Sequence, residues 1–162
     1  MRIGDRLHQY EVDHRWAKLP QGKAFGYTHG ITGDSKGRII VFNTSPDAVM
    51  FFDSEGNFLQ SWGGQYAEGA HGITLSRENG SDYLYLANSY QHEVVKTTLD
   101  GDVLWIIGQP PRPDSYDGDK RKFIPTQMAT GPDHRIYIAD GYGEHWVHIY
   151  TRDGEYLDSF GG

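Results

Sequence analysis

Apolar residues in this chain come in short runs that alternate with polar ones, and the runs come in sets. Arg38-Ile39-Ile40-Val41-Phe42 and Ala48-Val49-Met50-Phe51-Phe52 are two such runs, separated by a polar stretch from Asn43 to Asp47. Val, Ile, Tyr, Phe and Trp dominate them, the residue types that suit a pleated, half-buried surface. No window of comparable length places apolar residues at helical spacing, so the pattern predicts an all-β chain. The turns agree. Asp53-Ser54-Glu55-Gly56, Leu99-Asp100-Gly101 and Arg152-Asp153-Gly154 each end a polar cluster on glycine between apolar runs, where a hairpin calls for positive φ.

The sets also repeat. From His29-Gly30-Ile31, again from His71-Gly72-Ile73 and again from Thr126-Gln127-Met128, the chain runs through four short strands. The last of them closes on Trp62-Gly63, on Trp105 with Gly108 soon after, or on Phe160-Gly161. A period of about 40 residues with four antiparallel strands per unit predicts β-propeller blades. The blades are expected over roughly 28–64, 70–108 and 124–162, in one module spanning 1–162. Residues 109–122 form a polar, proline-bearing insertion that reads as a surface loop overhanging a blade junction. The alternating segment 10–16, from Tyr10 to Trp16, reads as an extra outer strand.

Three blades cannot close a ring, which leaves two apolar blade faces uncovered. A homodimer is therefore expected, the face of the His29 blade meeting the face of the partner's Thr126 blade, so that each chain is half of a six-bladed ring; a fragment of a longer chain and a larger or open array are the alternatives. Trp62, Trp105 and Phe160 end equivalent fourth strands and are expected to pack between neighbouring blades.

Composition narrows the functional classes. The 162 residues contain 21 Gly and 14% aromatics, as many tight turns and sheet-packing side chains would need. There is no cysteine, which excludes disulfides and thiolate metal sites. The formal charge of −7 argues against nucleic-acid binding. The one basic cluster, Lys120-Arg121-Lys122, lies beside Asp114, Asp117 and Asp119 and reads as a solvated turn. No apolar run approaches a membrane span, and none follows Met1 as a signal peptide would. A cytoplasmic protein is the expectation for the sequence as written, and a secreted one if a leader was removed. No phosphate loop, Ser/His/Asp ordering or nucleotide fingerprint is present.

The repeat resembles the NHL repeat, and the stretch from His71 to Tyr142 is similar to blades of the peptidyl-α-hydroxyglycine α-amidating lyase family and its bacterial six-bladed relatives. The residues that carry the likeness are Ala70-His71-Gly72-Ile73, Gln91-His92-Glu93-Val94-Val95-Lys96, Ile107-Gly108, Pro125-Thr126 and Asp140-Gly141-Tyr142. The resemblance covers nearly all of this chain but about half of such an enzyme. It implies a zinc in a central channel, with His71 at one ligand position, the carbonyl of Ile73 at a calcium contact and Tyr142 at the catalytic tyrosine. In such a site zinc would polarise a substrate oxygen while a phenol moves a proton. The family's catalytic arginine would fall at Asn43-Thr44-Ser45, where this chain has none. Thr126 stands where another histidine ligand would open a blade.

Two functional classes follow, with a non-functional or engineered half of a larger propeller as a third behind them. The first is a binding scaffold presenting a central channel and rim loops to a peptide, protein or small ligand, with a divalent metal as an option. The second is a metal-dependent enzyme of the amidating-lyase type. Both use the same residues: His29 and His71 opening two blades as metal or anion ligands, Thr126 and Gln127 in the channel wall, and Tyr142 at the rim as the proton-handling group. The bland alternative for His29 and His71 is a turn role before Gly-Ile, and for Asp140 a turn cap. His92 and His148 read as packing or surface residues of third strands, and His145 and Trp146 as rim or packing residues.

Overall fold

The computed structural model describes residues 2–111, 116 and 122–162. Most of the predicted insertion, and with it Asp114, Asp117, Asp119, Lys120 and Arg121, lies outside the described residues.

The chain is all-β, as its alternation predicts, with one short 3-10 turn at Gly64–Tyr66 among the described residues. A two-stranded hairpin comes first, β1 (Arg2–Gly4) paired with β2 (Gln9–Glu11). Three four-stranded antiparallel sheets follow in chain order, each a simple meander. Blade 1 is β3 (Thr28–Gly33), β4 (Ile39–Asn43), β5 (Val49–Phe52) and β6 (Phe58–Trp62). Blade 2 is β7 (Ala70–Glu78), β8 (Ser81–Asn88), β9 (Glu93–Thr98) and β10 (Val103–Ile107). Blade 3 is β11 (Gln127–Thr130), β12 (Ile136–Ala139), β13 (Trp146–Tyr150) and β14 (Tyr156–Gly161).

Strand alternation decides which blade each residue meets. On the second strands, Ile40 and Phe42 of blade 1 point toward blade 2, where they join Ile73, Leu84, Leu86 and Val95 in one buried cluster. Tyr85, Ala87 and Val94, on the opposite face of blade 2, join Met128, Ile136, Ile138 and Tyr150 of blade 3. Each blade thus has an incoming face and an outgoing face, offset by one residue along the strand. The inner strands approach closely at glycine: a Cβ on Gly30 would lie 2.7 Å from Ile73 Cγ2, and one on Gly72 2.4 Å from the carbonyl oxygen of Thr126.

The segment before blade 1 is not the strand its alternation suggests. Its β-pairing covers Gln9–Glu11 and a single parallel bridge from Lys18 to Asn57, and a turn at His14 and Arg15 between them redirects the chain. Trp16, Ala17 and Leu19 then lie over Val41, Met50 and Phe52, the incoming face of blade 1. Covering that apolar face outweighs the local preference for extension.

A buried asparagine or aspartate ends the second strand of every blade: Asn43, Asn88 and Asp140, all fully buried. Asn43 Oδ1 accepts the backbone N–H of Gly26 and of Ser45, and Asp140 Oδ1 accepts that of Ile124. Asn88 Oδ1 accepts the N–H of Gln91. Asn43 and Asp140 thus fix the segments that lead into the inner strands of blades 1 and 3, while Asn88 fixes the loop between β8 and β9.

Candidate functional site

The three inner strands begin side by side, and their first residues meet. The rings of His29 and His71 stack with centroids 4.5 Å apart and planes 19° from parallel. His71 Nδ1 lies 2.7 Å from the carbonyl oxygen of Thr126, which opens blade 3. A carbonyl only accepts, so Nδ1 carries the proton and Nε2 of a neutral ring keeps its lone pair. That Nε2 is 3.2 Å from Tyr142 Oη, and the phenol ring meets the imidazole edge-on at 5.1 Å. Tyr142 sits two residues after Asp140, its backbone N–H donating to Ile124 O at 3.4 Å. One residue from each of three blades therefore converges on a single mouth, and His71 is its hub.

The surroundings suit a ligand that approaches from solvent. His29 is exposed, His71 half-buried, and Tyr142 is 62% exposed. Tyr90 occupies in blade 2 the position of Tyr142 in blade 3 and is also exposed; a Cβ on Gly69, beside it, would lie 2.8 Å from Tyr90 Cβ. Ser89 Oγ donates to Pro125 O at 2.6 Å and locks the blade 2 rim to the opening of blade 3. Tyr27, just before β3, is exposed as well. Tyr27 and Tyr90 escaped the reading of the sequence. The signal for Tyr90 was its register with Tyr142, two positions past Asn88 and Asp140.

The other predicted channel residues have humbler places. The Thr126 side chain donates to Ala139 O at 3.3 Å, so its carbonyl and not its hydroxyl serves His71. Gln127 is exposed, with Oε1 accepting the N–H of Met128. Ile73 lies in the core between blades 1 and 2, paired with Leu86.

The residues present fit a single shared zinc poorly. Zinc bonds an imidazole nitrogen at about 2.0–2.1 Å within the ring plane. Two rings stacked 4.5 Å apart and nearly parallel point their lone pairs side by side, not at one point. Among the described residues, no group of three or more His, Asp or Glu is placed to hold a metal ion.

Of the remaining histidines, His92 lies in the turn before β9, at φ 59°, and not within the third strand. His148 is fully buried, Nε2 2.7 Å from Tyr116 Oη and Nδ1 2.6 Å from Ser159 Oγ. Tyr116 Oη also donates to Asp140 Oδ2 at 2.8 Å, which ties the insertion to the mouth-forming loop of blade 3. Burial and the neighbouring Asp140 carboxylate push the Tyr116 phenol well above its ordinary pKa, so it stays a donor.

No family model matches the chain, and no curated protein matches it. Solved structures do, at low identity for those that follow. A streptogramin B lyase structure superposes with a TM-score of 0.64 at 15% identity, over 86% of this chain and 42% of that one. Virginiamycin B lyase from Staphylococcus aureus, in a catalytically inactive form with quinupristin, gives 0.61 at 16%, over 87% and 43%. A eukaryotic initiation factor gives 0.58 at 12%, over 88% and 34%. The neighbours are β-propeller proteins and support a half-propeller of blades. The chain spans less than half the length of the structures it matches, and at such identity the likeness is one of fold.

Proposed function

We propose that the chain is an NHL-type binding scaffold whose channel mouth holds a peptide or small ligand between His29, His71 and Tyr142. The observation that carries this is the hub position of His71, held by Thr126 O at 2.7 Å while Nε2 and Tyr142 Oη face one another at 3.2 Å. An imidazole oriented by a backbone carbonyl is fixed in tautomer and direction before any ligand arrives, which lowers the cost of binding. The exposed faces of His29 and Tyr142 offer stacking, and Nε2 with the phenol offers one acceptor and one donor. A ligand with an aromatic or other planar group beside an amide meets both requirements.

The test is calorimetry with N-acetyl-phenylalanyl-glycinamide as probe. The parent is expected to bind saturably, His71→Ala to bind at least tenfold more weakly, and Tyr142→Phe to lose a few-fold. Equal binding by parent and His71→Ala, or none by the parent, overturns the reading.

The same hydrogen bond favours a second reading, a lyase-like enzyme. His71 Nε2 and Tyr142 Oη form a pair through which a proton could pass to or from a bound carbinolamide. The stacked rings do not supply the three-imidazole zinc of the amidating lyases, and for that reason the scaffold stands first. Amide product released from an α-hydroxyglycine peptide by the parent and lost in Tyr142→Phe would reverse the order.

A further inference from the structure

Blade-to-blade contact in this chain follows a rule in which one tryptophan and one glycine turn recur. Trp62, ending blade 1, donates its indole N–H to Leu99 O of blade 2 at 3.0 Å. Trp105, in the last strand of blade 2, donates to Arg152 O of blade 3 at 3.2 Å. Each acceptor lies two residues before a turn glycine with positive φ, Gly101 (φ 95°) and Gly154 (φ 90°). Both glycines form the floor under the indole. A Cβ on Gly101 would lie 3.0 Å from the Trp62 ring, and one on Gly154 3.5 Å from the Trp105 ring.

Blade 1 has the same socket, and it is filled. Trp16 donates to Ser54 O at 3.2 Å, two residues before Gly56, whose φ is 78° and whose Cβ would lie 3.1 Å from the ring. Trp16 belongs to none of the three blades; it is the segment upstream that supplies it. At the other end of the stack the rule runs out. Phe160 holds in blade 3 the register of Trp62, two residues on from that of Trp105 and on the same face, yet it is 54% exposed. Around it on the outgoing face, Tyr137, Ala139 and Val147 are only half-buried, whereas their counterparts Ile40, Phe42 and Val49 in blade 1 and Tyr85, Ala87 and Val94 in blade 2 are fully buried beneath the next blade.

We propose that this outgoing face docks on blade 1 of a second copy of the chain, with Phe160 entering the Ser54–Gly56 socket and Trp16 leaving it. The Trp16–Leu19 segment is then a strap that covers the incoming face of blade 1 until the exchange. Blade 1 is the fitting partner because its incoming residues, Ile39 and Val41, are the register equivalents of Leu84 and Leu86 in blade 2 and of Ile136 and Ile138 in blade 3. Those are the residues that already receive an outgoing face within the chain. Two such contacts related by a twofold axis close a ring of six blades and leave neither face open. The proposal rests on the blade architecture and not on the ligand reading of the mouth.

The chain has no cysteine, so an engineered pair reports cleanly. Ser54→Cys combined with Phe160→Cys is expected to form an interchain disulfide under mild oxidation at least tenfold faster than the control pair Lys36→Cys with Phe160→Cys. Sedimentation of single variants gives the second measurement. Phe160→Asp is expected to weaken dimerisation at least tenfold, and Trp16→Ala to strengthen it about as much, because the strap no longer competes. Trapping no faster than in the control overturns the proposal. So does a folded Trp16→Ala protein that stays as monomeric as the parent, the outcome expected if a different polypeptide or further blades of a longer chain occupy the face.

Discussion

Glu78 is 8% exposed and Lys96 5%, and carboxylate and ammonium meet at 2.7 Å. Tyr85 and Ser76 donate to the same carboxylate at 2.8 and 3.0 Å. Burial alone would raise the Glu78 pKa, but the hydrogen bonds from Lys96, Tyr85 and Ser76, with the attraction of Lys96, hold it below the ordinary 4.5. A carboxyl whose folded pKa is depressed contributes stability that is present above the unfolded value and fades as pH falls through the folded one. Chemical denaturation from pH 6 down to pH 3 is therefore expected to show stability dropping below about pH 4.5. In Glu78→Gln that drop should shrink, while the protein loses about 3–5 kcal/mol at pH 7 because Lys96 is left buried and unpaired. A parallel pH curve for the variant would contradict this. None of the pair was legible beforehand, since the two residues sit on β7 and β9 with β8 between them, and only the register of three strands brings them together. Asp140 was visible as a turn cap, but that Asn43, Asn88 and Asp140 are all fully buried, and that Asn43 and Asp140 hold the segments before β3 and β11, depends on the folded loops.

The last strand of a blade is where sequence and packing agree best, and where one member of the series was misread. Trp62 and Trp105 pack on the next blade as expected, whereas Phe160 is exposed, with no blade packed over it among the described residues. Trp16 belongs to the same series; the sequence placed it on an extra outer strand, and its socket on blade 1 emerges only in the fold. Trp62→Ala is expected to destabilise by about 3 kcal/mol or more, losing ring packing between blades. Trp62→Phe should retain most of the packing and lose the bond to Leu99 O, a cost of about 1 kcal/mol. In the monomer, Phe160→Ala should leave the denaturation midpoint nearly unchanged. Urea melts of the three variants at low protein concentration check the order, and an equal loss for Trp62→Ala and Phe160→Ala would show that blade junctions do not depend on a following turn.

At the scale of the whole molecule, the number of blades and their four-strand make-up were legible, because glycine turns and a period of about 40 residues repeat in the chain. The mouth was legible in part. His29 and His71 share a repeat position, and Tyr142 was marked by resemblance, but the stacking of the two rings and the role of the Thr126 carbonyl depend on how closely adjacent inner strands approach at Gly30 and Gly72. The strap over blade 1 was not legible, since its own alternation favours a strand and only the apolar face beneath it decides otherwise. The central claim is that three blades bring His29, His71 and Tyr142 to one mouth, and the most direct measurement is a nuclear Overhauser experiment on their ring protons. With centroids 4.5 Å apart for His29 and His71 and 5.1 Å for His71 and Tyr142, cross-peaks are expected for both pairs and should vanish in His71→Ala. A well-dispersed spectrum with neither cross-peak would contradict the arrangement of the blades and, with it, the site.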